Sequence, residues 1–497
     1  MKALTTLRRR LEAAGLMLKK QGRFQNIRVD HLAYDSRKVG PGGLFVAVRG
    51  ERADGHLFIE KAVQNGAVAI VCEAMPEEVR TRFPGIAFMR VSDSRAALAE
   101  LAAAFYDDPS RKLKMVGITG TNGKTTTAFL IRRVLEAQGV KTGLIGTIAY
   151  HAGSHPVEAT HTTPDALALQ RMLRQMVEAG LSACVMEVSS HALAQQRVRA
   201  IDYDAAVFTN LTRDHLDYHR SFEEYLAAKK KLFDALSAEA TALYNRDDEA
   251  GPEIVAETAA RAVSYGQAAD ADLRLEVLSN RIDGLRLRIE GRERAFRLVG
   301  LFNAYNLTAA YGAGRALGFS ADAVLDALAD APPVPGRFEQ IRFADGTTVI
   351  VDYAHTPDAL ENVLRTIRAT KSPSARLWCV FGCGGDRDPV KRRFMGGIAE
   401  RYADRVIVTS DNPRTEDPES ILNDIRRGMD RPAEALWIVD RRAAIGEAAA
   451  RAAPGDVVLV AGKGHETYQV VGVEKLPFDD REAVRKSFAS RGLPAAG

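Results

Sequence analysis

Short apolar segments alternate with segments of helical periodicity along most of the chain. Each apolar segment is rich in Val, Ile and Leu, and a turn bearing Gly, Asn or Asp follows it. This alternation is typical of parallel α/β sheets, whose strands are buried on both faces. The predicted strands form two groups, at 115–120, 142–147, 183–187, 205–210 and 242–245, and at 348–352, 377–382, 405–410 and 456–461. We therefore predict two doubly wound sheets, with ligands at the carboxyl ends of their strands.

The first ninety residues follow a different pattern. A polar turn beginning at Asp35 leads into an alternating strand that ends at Val48, and an apolar run follows at 67–72. Further along, the segment 331–336 is too rich in proline for a helix or a central strand and is typical of a hinge. The 497 residues suit about three domains at roughly 150 residues each. We predict an α/β protein with domains at 1–91, 92–337 and 338–497.

Composition and charge exclude several classes of protein. With 46% hydrophobic and 27% charged residues, the chain is globular rather than disordered. A formal charge of +4 is too dilute for a nucleic-acid-binding face. The N-terminus lacks an apolar leader core, and no stretch approaches the roughly 18 apolar residues of a membrane span. We expect no nucleic-acid partner, no membrane insertion and a cytoplasmic location.

The cysteines point to the same compartment. Cys72, Cys184, Cys379 and Cys383 show no paired spacing typical of metal ligands. In so long a chain they are predicted to be buried thiols in a reducing environment, without disulfides.

A glycine-rich segment at 117–126 lies between a predicted strand and a predicted helix. Such a turn directs backbone amides and the positive end of the helix dipole at phosphate oxygens. Lys124 would neutralise the outer phosphates, and the Thr125 hydroxyl would reach a magnesium ion. The usual spacing has glycine at the position of Ile118, but the adjacent Lys-Thr pair favours ATP or GTP binding over a turn without ligand. The predicted binding residues are Gly120, Thr121, Asn122, Gly123, Lys124, Thr125 and Thr126.

Two further segments bear candidate metal ligands. Glu187 ends a predicted strand, and its carboxylate suits magnesium together with Thr125. His215 is less suited to magnesium, and a lone histidine in a loop is more often a hydrogen-bonding residue than a ligand. Asp214 and Asp217 could instead begin the next helix as caps.

Three consecutive lysines begin at Lys229 within a segment of helical periodicity, 225–233. A run of like charges usually forms a solvated face. Lys229 differs, because Leu226 and Phe233 lie three and four residues away and share its helix face. We predict that Lys229 points to the core, where an ammonium needs a partner or a changed charge.

Taken together, the chain resembles the Mur ligases, ATP-dependent enzymes that form amide bonds in peptidoglycan precursor synthesis. The similarity extends from Asp35 to about Glu482 and is weakest at 250–298. It rests on Asp35-Ser-Arg37, Gly117 to Thr125, Thr162-Thr-Pro164, Glu187-Val-Ser-Ser-His191, Asn210 to His215, Tyr225 to Phe233, Asn303-Ala-Tyr-Asn306, Gly336-Arg337, Asp352 to Asp358, Asp386-Arg-Asp388, Asp411-Asn-Pro-Arg414 and Gly462-Lys-Gly-His-Glu466. The resemblance implies an N-terminal UDP-binding α/β domain, a central ATP-binding P-loop domain with a doubly wound sheet, and a C-terminal Rossmann-like domain that binds an amino acid.

The resemblance also implies residue roles. Carbon dioxide would carbamylate Lys229 and turn it into an oxygen donor for a second magnesium ion. Asn303 and Asn306 would lie near the nucleotide base, and Arg337 near the ribose and phosphates. The implied catalytic residues are Lys124, Glu187, His215, Lys229, Asp352 and His355, and the implied metal ligands are Thr125, Glu187, His215 and Lys229.

The implied reaction joins UDP-N-acetylmuramoyl-L-alanyl-D-glutamate to meso-2,6-diaminopimelate. The D-glutamyl γ-carboxylate attacks the γ-phosphate of ATP, and the amine then displaces phosphate from the acyl phosphate. Because both first reactants are anions, Lys124 and magnesium are needed to offset their repulsion. A closing third domain suits the placement of the amine.

Diaminopimelate differs from lysine by one carboxylate. Arg414 offers a planar fork for that group, and Glu466 can hold the neighbouring ammonium. Arg414 alone could be a surface turn residue, but the surrounding motif favours the binding role. The other implied substrate residues are Ser36, Arg37, Thr162, Thr163, Ser189, Arg197, Arg387, Asp411, Asn412 and Gly462.

Two other functions account for parts of the sequence. A folylpolyglutamate synthase shares the central P-loop plan but does not need the motifs at 35–37 and 411–414. A silent nucleotide-sugar sensor would keep the loops, but intact Lys124, Glu187, His215 and Lys229 argue against it. Hydrolysis by Ser189 is disfavoured, because no oxyanion-hole pattern accompanies it. We expect a monomer.

Overall fold

The computed structural model describes residues 1–50, 53–74, 77–153, 157–159, 161–212 and 218–489. Within these residues, three mainly parallel sheets of five, eleven and six strands follow one another along the chain. Buried apolar side chains form a separate layer on each face of each sheet. The predicted α/β class is confirmed.

The N-terminal sheet has the strand order β2-β7-β6-β5-β4, with β2 antiparallel to the rest. The strands of this region are β1 Lys2–Ala3, β2 Met17–Gln21, β3 Arg28–Val29, β4 His31–Ala33, β5 Gly43–Val46, β6 Ala67–Cys72 and β7 Ala87–Val91. Its helices are α1 Leu4–Ala13, α2 Ile59–Gln64, α3 Glu77–Arg82 and α4 Ser94–Phe105, with 3-10 turns at Ser36–Lys38, Gly55–Phe58 and Pro109–Lys112.

The strand predicted before Val48 forms as β5, but the predicted alternation of its residues is wrong. All four residues of β5 are buried, because Leu44 and Val46 face one apolar layer and Phe45 faces the other. A strand covered on both faces has no solvent side to which a polar residue could point.

The central sheet has the order β11-β10-β9-β12-β8-β13-β14-β15-β16-β17-β18, parallel from β9 to β16 and antiparallel at both edges. Its strands are β8 Lys114–Thr119, β9 Thr142–Ile145, β10 Ala149–His151, β11 Val157–Glu158, β12 Ala183–Glu187, β13 Ala205–Phe208, β14 Thr241–Asn245, β15 Arg261–Gly266, β16 Leu273–Arg281, β17 Gly284–Ile289 and β18 Arg292–Phe296. Its helices are α5 Lys124–Ala137, α6 Ala166–Glu178, α7 Ser190–Ala194, α8 Phe222–Asp234, α9 Gly251–Ile254, α10 Leu301–Ala316 and α11 Ala321–Ala329.

The C-terminal sheet has the order β19-β20-β24-β21-β22-β23, with only its edge strand β19 antiparallel. Its strands are β19 Glu339–Arg342, β20 Thr348–Asp352, β21 Leu377–Phe381, β22 Arg405–Val408, β23 Leu436–Trp437 and β24 Val457–Ala461, and the strands β25 Tyr468–Val471 and β26 Glu474–Pro477 form a separate hairpin. Its helices are α12 Pro357–Thr370, α13 Val390–Tyr402, α14 Pro418–Arg426, α15 Arg441–Arg451 and α16 Asp480–Ala489, with a 3-10 turn at Pro432–Glu434.

The predicted strands of the two doubly wound sheets all form, within one or two residues of their expected ends. The proline-rich segment 331–336 lies outside helices and strands, as predicted. Helix α4, which follows the boundary predicted at residue 91, contributes Leu98 and Leu101 to the N-terminal core and also packs against α6. The division into three domains stays a prediction.

In the part of the chain that the structure describes, no helix combines the length and apolar character that crossing a bilayer requires. The four cysteines are buried, as predicted.

Candidate active site

The carboxyl ends of β9, β12, β8 and β13 lie side by side at one edge of the central sheet. The loop after β8 is fixed there by the loop after β13. The backbone N–H of Asn122 donates to Oδ1 of Asn210 at 2.9 Å, and the N–H of Thr121 donates to the Asn210 carbonyl at 2.8 Å. The predicted phosphate-binding loop is therefore a braced turn between a strand and helix α5.

Two glycines allow the close packing of this loop. Gly120 and Gly123 have φ angles of +146° and +86°, a backbone region that residues other than glycine rarely adopt. A Cβ on Gly120 would lie 1.9 Å from Oγ1 of Thr209, and one on Gly123 would lie 2.4 Å from Oδ1 of Asn306. The Lys124 ammonium donates to the carbonyls of Gly120 and Thr121, both at 2.8 Å, so the cation lies over the loop.

The unusual glycine spacing also has a structural reason. Gly117 lies within β8 rather than in the loop, and a Cβ there would approach Cε1 of Tyr203 to 2.8 Å. Ile118 is fully buried in the core beside α5. Gly117 therefore serves packing, and the phosphate loop starts at Gly120.

Glu187 is the best-connected carboxylate at this edge. It is 1% exposed, its Oε2 accepts from the hydroxyls of Thr125 at 2.9 Å and Thr147 at 3.1 Å, and its Oε1 accepts from the Thr147 N–H at 2.8 Å. Thr147, which follows β9, also lies 3.1 Å from the hydroxyl of Thr162. The structure thus brings the predicted pair Thr125 and Glu187 together and adds Thr147.

Lys229 lies in the core, as its helical position predicts. It is 1% exposed, and its ammonium donates to the Gly120 carbonyl at 2.8 Å and lies 4.4 Å from the centre of the Tyr225 ring. Leu226 and Phe233 are buried on the same face of α8. A buried cation is thus held directly against the phosphate-binding loop.

The donor set fits magnesium in part. Two hard oxygen atoms, Oγ1 of Thr125 and Oε2 of Glu187, lie 2.9 Å apart beside the loop, and magnesium prefers such ligands. The Lys229 ammonium has no lone pair to offer and would need conversion to a carbamate. His215 lies outside the described residues, together with Asp214 and Asp217; the helix that follows them, α8, is capped by Ser221. Among the described residues, no cluster of three His, Cys, Asp or Glu side chains has metal-binding geometry.

Asn303 and Asn306 lie beside the phosphate loop, on α10. Both are buried, and the side-chain amide of Asn306 donates to Oδ1 of Asn303 at 3.1 Å while its own oxygen accepts from the Thr127 hydroxyl at 3.3 Å. The amide of Asn303 donates to the Val299 carbonyl at 2.8 Å. These contacts tie α10 to the first turn of α5.

Arg337 reaches the loop from the irregular segment before β19. Its Nη2 donates to Oγ1 of Thr125 at 3.2 Å, and its guanidinium carbon lies 4.6 Å from the centre of the Tyr353 ring. Its Nε is buried without a hydrogen-bond partner among the described residues. Because an orphaned buried donor is costly, this arginine is suited to an anion such as a nucleotide phosphate.

Asp352 and His355 do not contact the phosphate loop directly. Asp352 accepts from the N–H groups of Phe338 at 2.6 Å and Ala354 at 2.8 Å, and burial raises the pKa of its carboxyl. His355 is exposed, and its Nδ1 lies 2.8 Å from the Tyr353 carbonyl. Asp352 thus organises the segment that carries Arg337.

The contact is made instead by the last residue of the 352–358 motif, to which the sequence analysis gave no role. Oδ2 of Asp358, at the start of α12, accepts from Nδ2 of Asn122 at 3.0 Å and from the Thr212 hydroxyl at 3.2 Å. This carboxylate links the C-terminal sheet to the phosphate loop.

Three of the implied substrate residues line a separate cleft of about 760 Å³ between the N-terminal and central sheets. Ser36, Arg37 and Arg197 line it, as does Arg95, which sequence reasoning missed. Arg37 is paired with Asp35 at 2.8 Å, but its side chain is 87% exposed and therefore free to turn to a ligand. Three guanidinium groups around one cleft suit a diphosphate.

Thr162, Thr163 and Ser189 connect this cleft to the phosphate loop. The Thr163 hydroxyl donates to the Glu187 carbonyl at 2.8 Å and accepts from the Ser189 N–H at 3.0 Å, and Arg197 donates to the Thr163 carbonyl at 2.8 Å. Ser189 caps α7, which gives its hydroxyl a structural role rather than a nucleophilic one.

The predicted amine-binding residues gather at the carboxyl edge of the C-terminal sheet. Arg414 has φ of 52°, and its backbone is fixed by the β25–β26 hairpin through Val470 and Gly472, at 3.1 and 2.7 Å. Its guanidinium donates to the Gly385 carbonyl at 2.7 Å. Arg387 is exposed nearby, within reach of the same loop.

Glu466 is already engaged by a cation. Its Oε2 accepts from the Lys463 ammonium and from Nδ2 of Asn412, both at 2.9 Å. Asp411 is buried, and a Cβ on Gly462 would lie 2.4 Å from its Oδ2, so Gly462 must lack a side chain. Sequence reasoning missed Lys463, although its position three residues before Glu466 would have signalled a pair.

Comparison with known proteins agrees with this geometry. Three family models match the chain: the catalytic domain of the Mur ligase family over residues 28–106, the Mur ligase middle domain over 118–314, and the Mur ligase glutamate ligase domain over 336–464. The chain belongs to the Mur ligase family, a class of ATP-dependent ligases that form amide bonds.

Two relatives of high identity carry the same name. The UDP-N-acetylmuramoyl-L-alanyl-D-glutamate--2,6-diaminopimelate ligases of Geobacillus kaustophilus and Cytophaga hutchinsonii are 47% and 46% identical to it, over 93% and 94% of this chain and 95% and 96% of theirs. A solved structure of a ligase with the same name is 34% identical, with a TM-score of 0.69 over 96% of this chain and 98% of that one.

Proposed function

We propose that this chain uses ATP to join meso-2,6-diaminopimelate to the D-glutamyl γ-carboxylate of UDP-N-acetylmuramoyl-L-alanyl-D-glutamate. One observation carries the proposal: the phosphate-binding loop with Lys124, the Thr125–Glu187 pair and buried Lys229 converge at the carboxyl edge of the central sheet. Arg337 reaches the same edge from the side of the C-terminal sheet. The Mur relatives described above support the choice of substrates.

The residues of the chain prepare the phosphoryl transfer. The helix α5 N-terminus and Lys124 hold the phosphates of ATP, and Arg337 adds a second cation beside Thr125. When bound, magnesium supplies further neutralisation of charge, held by Thr125 and Glu187 and, by resemblance, by His215 and carbamylated Lys229. The two anionic reactants can then approach each other; the γ-carboxylate attacks the γ-phosphorus of ATP, the bond to the bridging oxygen breaks, and ADP leaves.

The amide step depends on placing a neutral amine beside the acyl phosphate. Arg414 and Glu466 would hold the distal carboxylate and ammonium of diaminopimelate, so that its other amino group faces the central sheet. The hydrogen bond between Asn122 and Asp358 joins the C-terminal sheet to the central sheet at the phosphate-binding loop. Lysine lacks the distal carboxylate and would leave Arg414 without its anion.

The test is phosphate release and product mass with ATP, the UDP-linked dipeptide and either diaminopimelate or lysine. We expect turnover with diaminopimelate, and Arg414→Met should raise its KM by about tenfold or more. If no phosphate is released with either amine, the silent sensor is favoured. Equal use of both amines would refute the role of Arg414. Exposed Arg393→Met serves as the control. We also propose a cytoplasmic location, a monomeric state and the three domains at 1–91, 92–337 and 338–497. Light scattering tests the monomeric state.

A further inference from the structure

Lys463 is the most completely buried charged side chain of the amine-binding loops. It has no exposed surface, and its ammonium donates to Oε2 of Glu466 at 2.9 Å and to Oδ1 of Asn412 at 3.1 Å. Such a cation is costly to bury and persists only when its partners are well placed. If the position served packing alone, an apolar side chain could fill it without the free-energy cost of burying a charge.

The contacts of Lys463 leave Glu466 in one orientation. Lys463 and Asn412 both occupy Oε2, whereas no contact of the same kind engages Oε1 within the described chain. Asn412 is itself fixed, because its Oδ1 accepts from the Val470 N–H at 2.9 Å. The carboxylate therefore presents Oε1 as the acceptor for a ligand ammonium.

Lys463 also sets the charge of the loops. Arg414, Lys463 and Arg387 balance the carboxylates of Asp411, Glu466 and Asp386, which interacts with both arginines, so the charges of these side chains sum to zero. Beneath them, the Arg441–Asp480 pair is fully buried at 2.8 Å and adds no net charge. A neutral site suits a zwitterionic ligand end, which carries one carboxylate and one ammonium. A ligand end with a lone ammonium would meet a buried cation without bringing an anion to offset it.

We propose that Lys463 is a positioning and specificity-determining residue, which orients Glu466 and makes the site select a zwitterionic over a purely cationic amine side chain. This rests on the proposed function. Lys463 does not touch the reacting atoms and acts through Glu466 and through the net charge of the site. Its removal changes the site charge from zero to minus one, which favours lysine relative to diaminopimelate.

The experiment compares Lys463→Met with Lys463→Gln and Lys463→Arg in steady-state assays with each amine. For K463M, we expect the KM for diaminopimelate to rise by about ten- to a hundredfold, because a hydrogen bond to a charged group is lost, with kcat and the KM for ATP nearly unchanged. The ratio of kcat/KM for lysine to that for diaminopimelate should rise by about tenfold. K463R, which keeps the charge, should restore the selectivity.

Controls separate this role from structure. Lys475→Met removes an exposed lysine of the neighbouring β25–β26 hairpin, 4.0 Å from the centre of the Tyr468 ring, and should leave all constants unchanged. If K463M melts below the assay temperature, K463Q is the deciding variant, because it keeps a hydrogen-bond donor and removes the charge. K463Q should raise the ratio of kcat/KM for lysine to that for diaminopimelate, with a smaller change in the KM for diaminopimelate. An unchanged ratio in both neutral variants, or equal losses with both amines, would overturn the proposal. If wild-type protein fails to use diaminopimelate, the proposed function fails instead.

Discussion

Lys229 offers a direct test of whether the protein keeps a buried lysine for catalysis at the expense of stability. The perturbation is Lys229→Met, which retains the length of the side chain and removes the ammonium. The hydrogen bond to Gly120 at 2.8 Å is worth about 1.5 to 3 kcal/mol as a bond involving a charged group. Burying the ammonium at 1% exposure costs several kcal/mol. The two effects oppose each other, and apolar replacement of buried charges is often neutral or stabilising by about 1 to 4 kcal/mol.

We therefore expect K229M to melt at or above the wild-type temperature while losing at least about a thousandfold in kcat, equivalent to about 4 kcal/mol of transition-state stabilisation. Calorimetry and phosphate release measure the two quantities, and Lys231→Met, an exposed neighbour on α8, is the control. Lys229→Ala should recover part of its activity with added small carboxylates, which replace the carbamate oxygens. Wild-type turnover by K229M would refute the catalytic role, and a loss of more than about 3 kcal/mol in stability would refute the argument that buried Lys229 lowers the stability of the protein.

Three further outcomes follow from the site. Glu187→Gln should lower kcat by at least about a hundredfold with little change in melting temperature, whereas Glu187→Ala should also cost about 1 to 3 kcal/mol, because the Thr147 N–H loses its acceptor; a fully active E187Q would contradict the metal role. Burial and the Arg337 charge lower the pKa of His465 from 6.5 to about 3. Between these two pH values, His465 is therefore protonated in the unfolded chain but neutral in the folded chain. This group's stabilisation is complete above 6.5 and is lost as the pH falls, by up to about 1.4 kcal/mol per pH unit, and urea unfolding of His465→Gln should show a flatter decline between pH 6 and 4. Asp358→Ala removes the bonds to Asn122 in the phosphate-binding loop and to Thr212 in the loop after β13, and small-angle scattering without nucleotide should show a larger radius of gyration; an unchanged radius would mean that this link does not hold the two sheets together.

The hydrophobic pattern predicted the parallel strands because a strand buried on both faces needs a continuous Val, Ile and Leu run. It predicted the burial of Lys229 because helix periodicity places it between Leu226 and Phe233. The region 250–298 was not recognised, although its signal was present. Leu285, Leu287 and Ile289 are buried while the arginines between them face outward, and this period of two is typical of an antiparallel strand with one solvated face.

Other features depend on distance along the chain and could not be read locally. Asp358 meets Asn122, 236 residues away, and only the packing of the C-terminal sheet brings them together. The left-handed backbone of Arg414 is imposed by the β25–β26 hairpin, more than fifty residues downstream, and not by its own sequence. Residue types therefore indicated which chemistry was present, whereas tertiary contacts decided which groups are paired before a ligand arrives.

The loop 411–414 lies beyond β22, and 462–466 beyond β24, where the buried strands have already ended. Substitutions in these loops leave both hydrophobic layers of the C-terminal sheet untouched. Relatives could thus exchange one incoming amino acid for another through a few loop changes, and divergence in cell-wall chemistry would need no redesign of the scaffold.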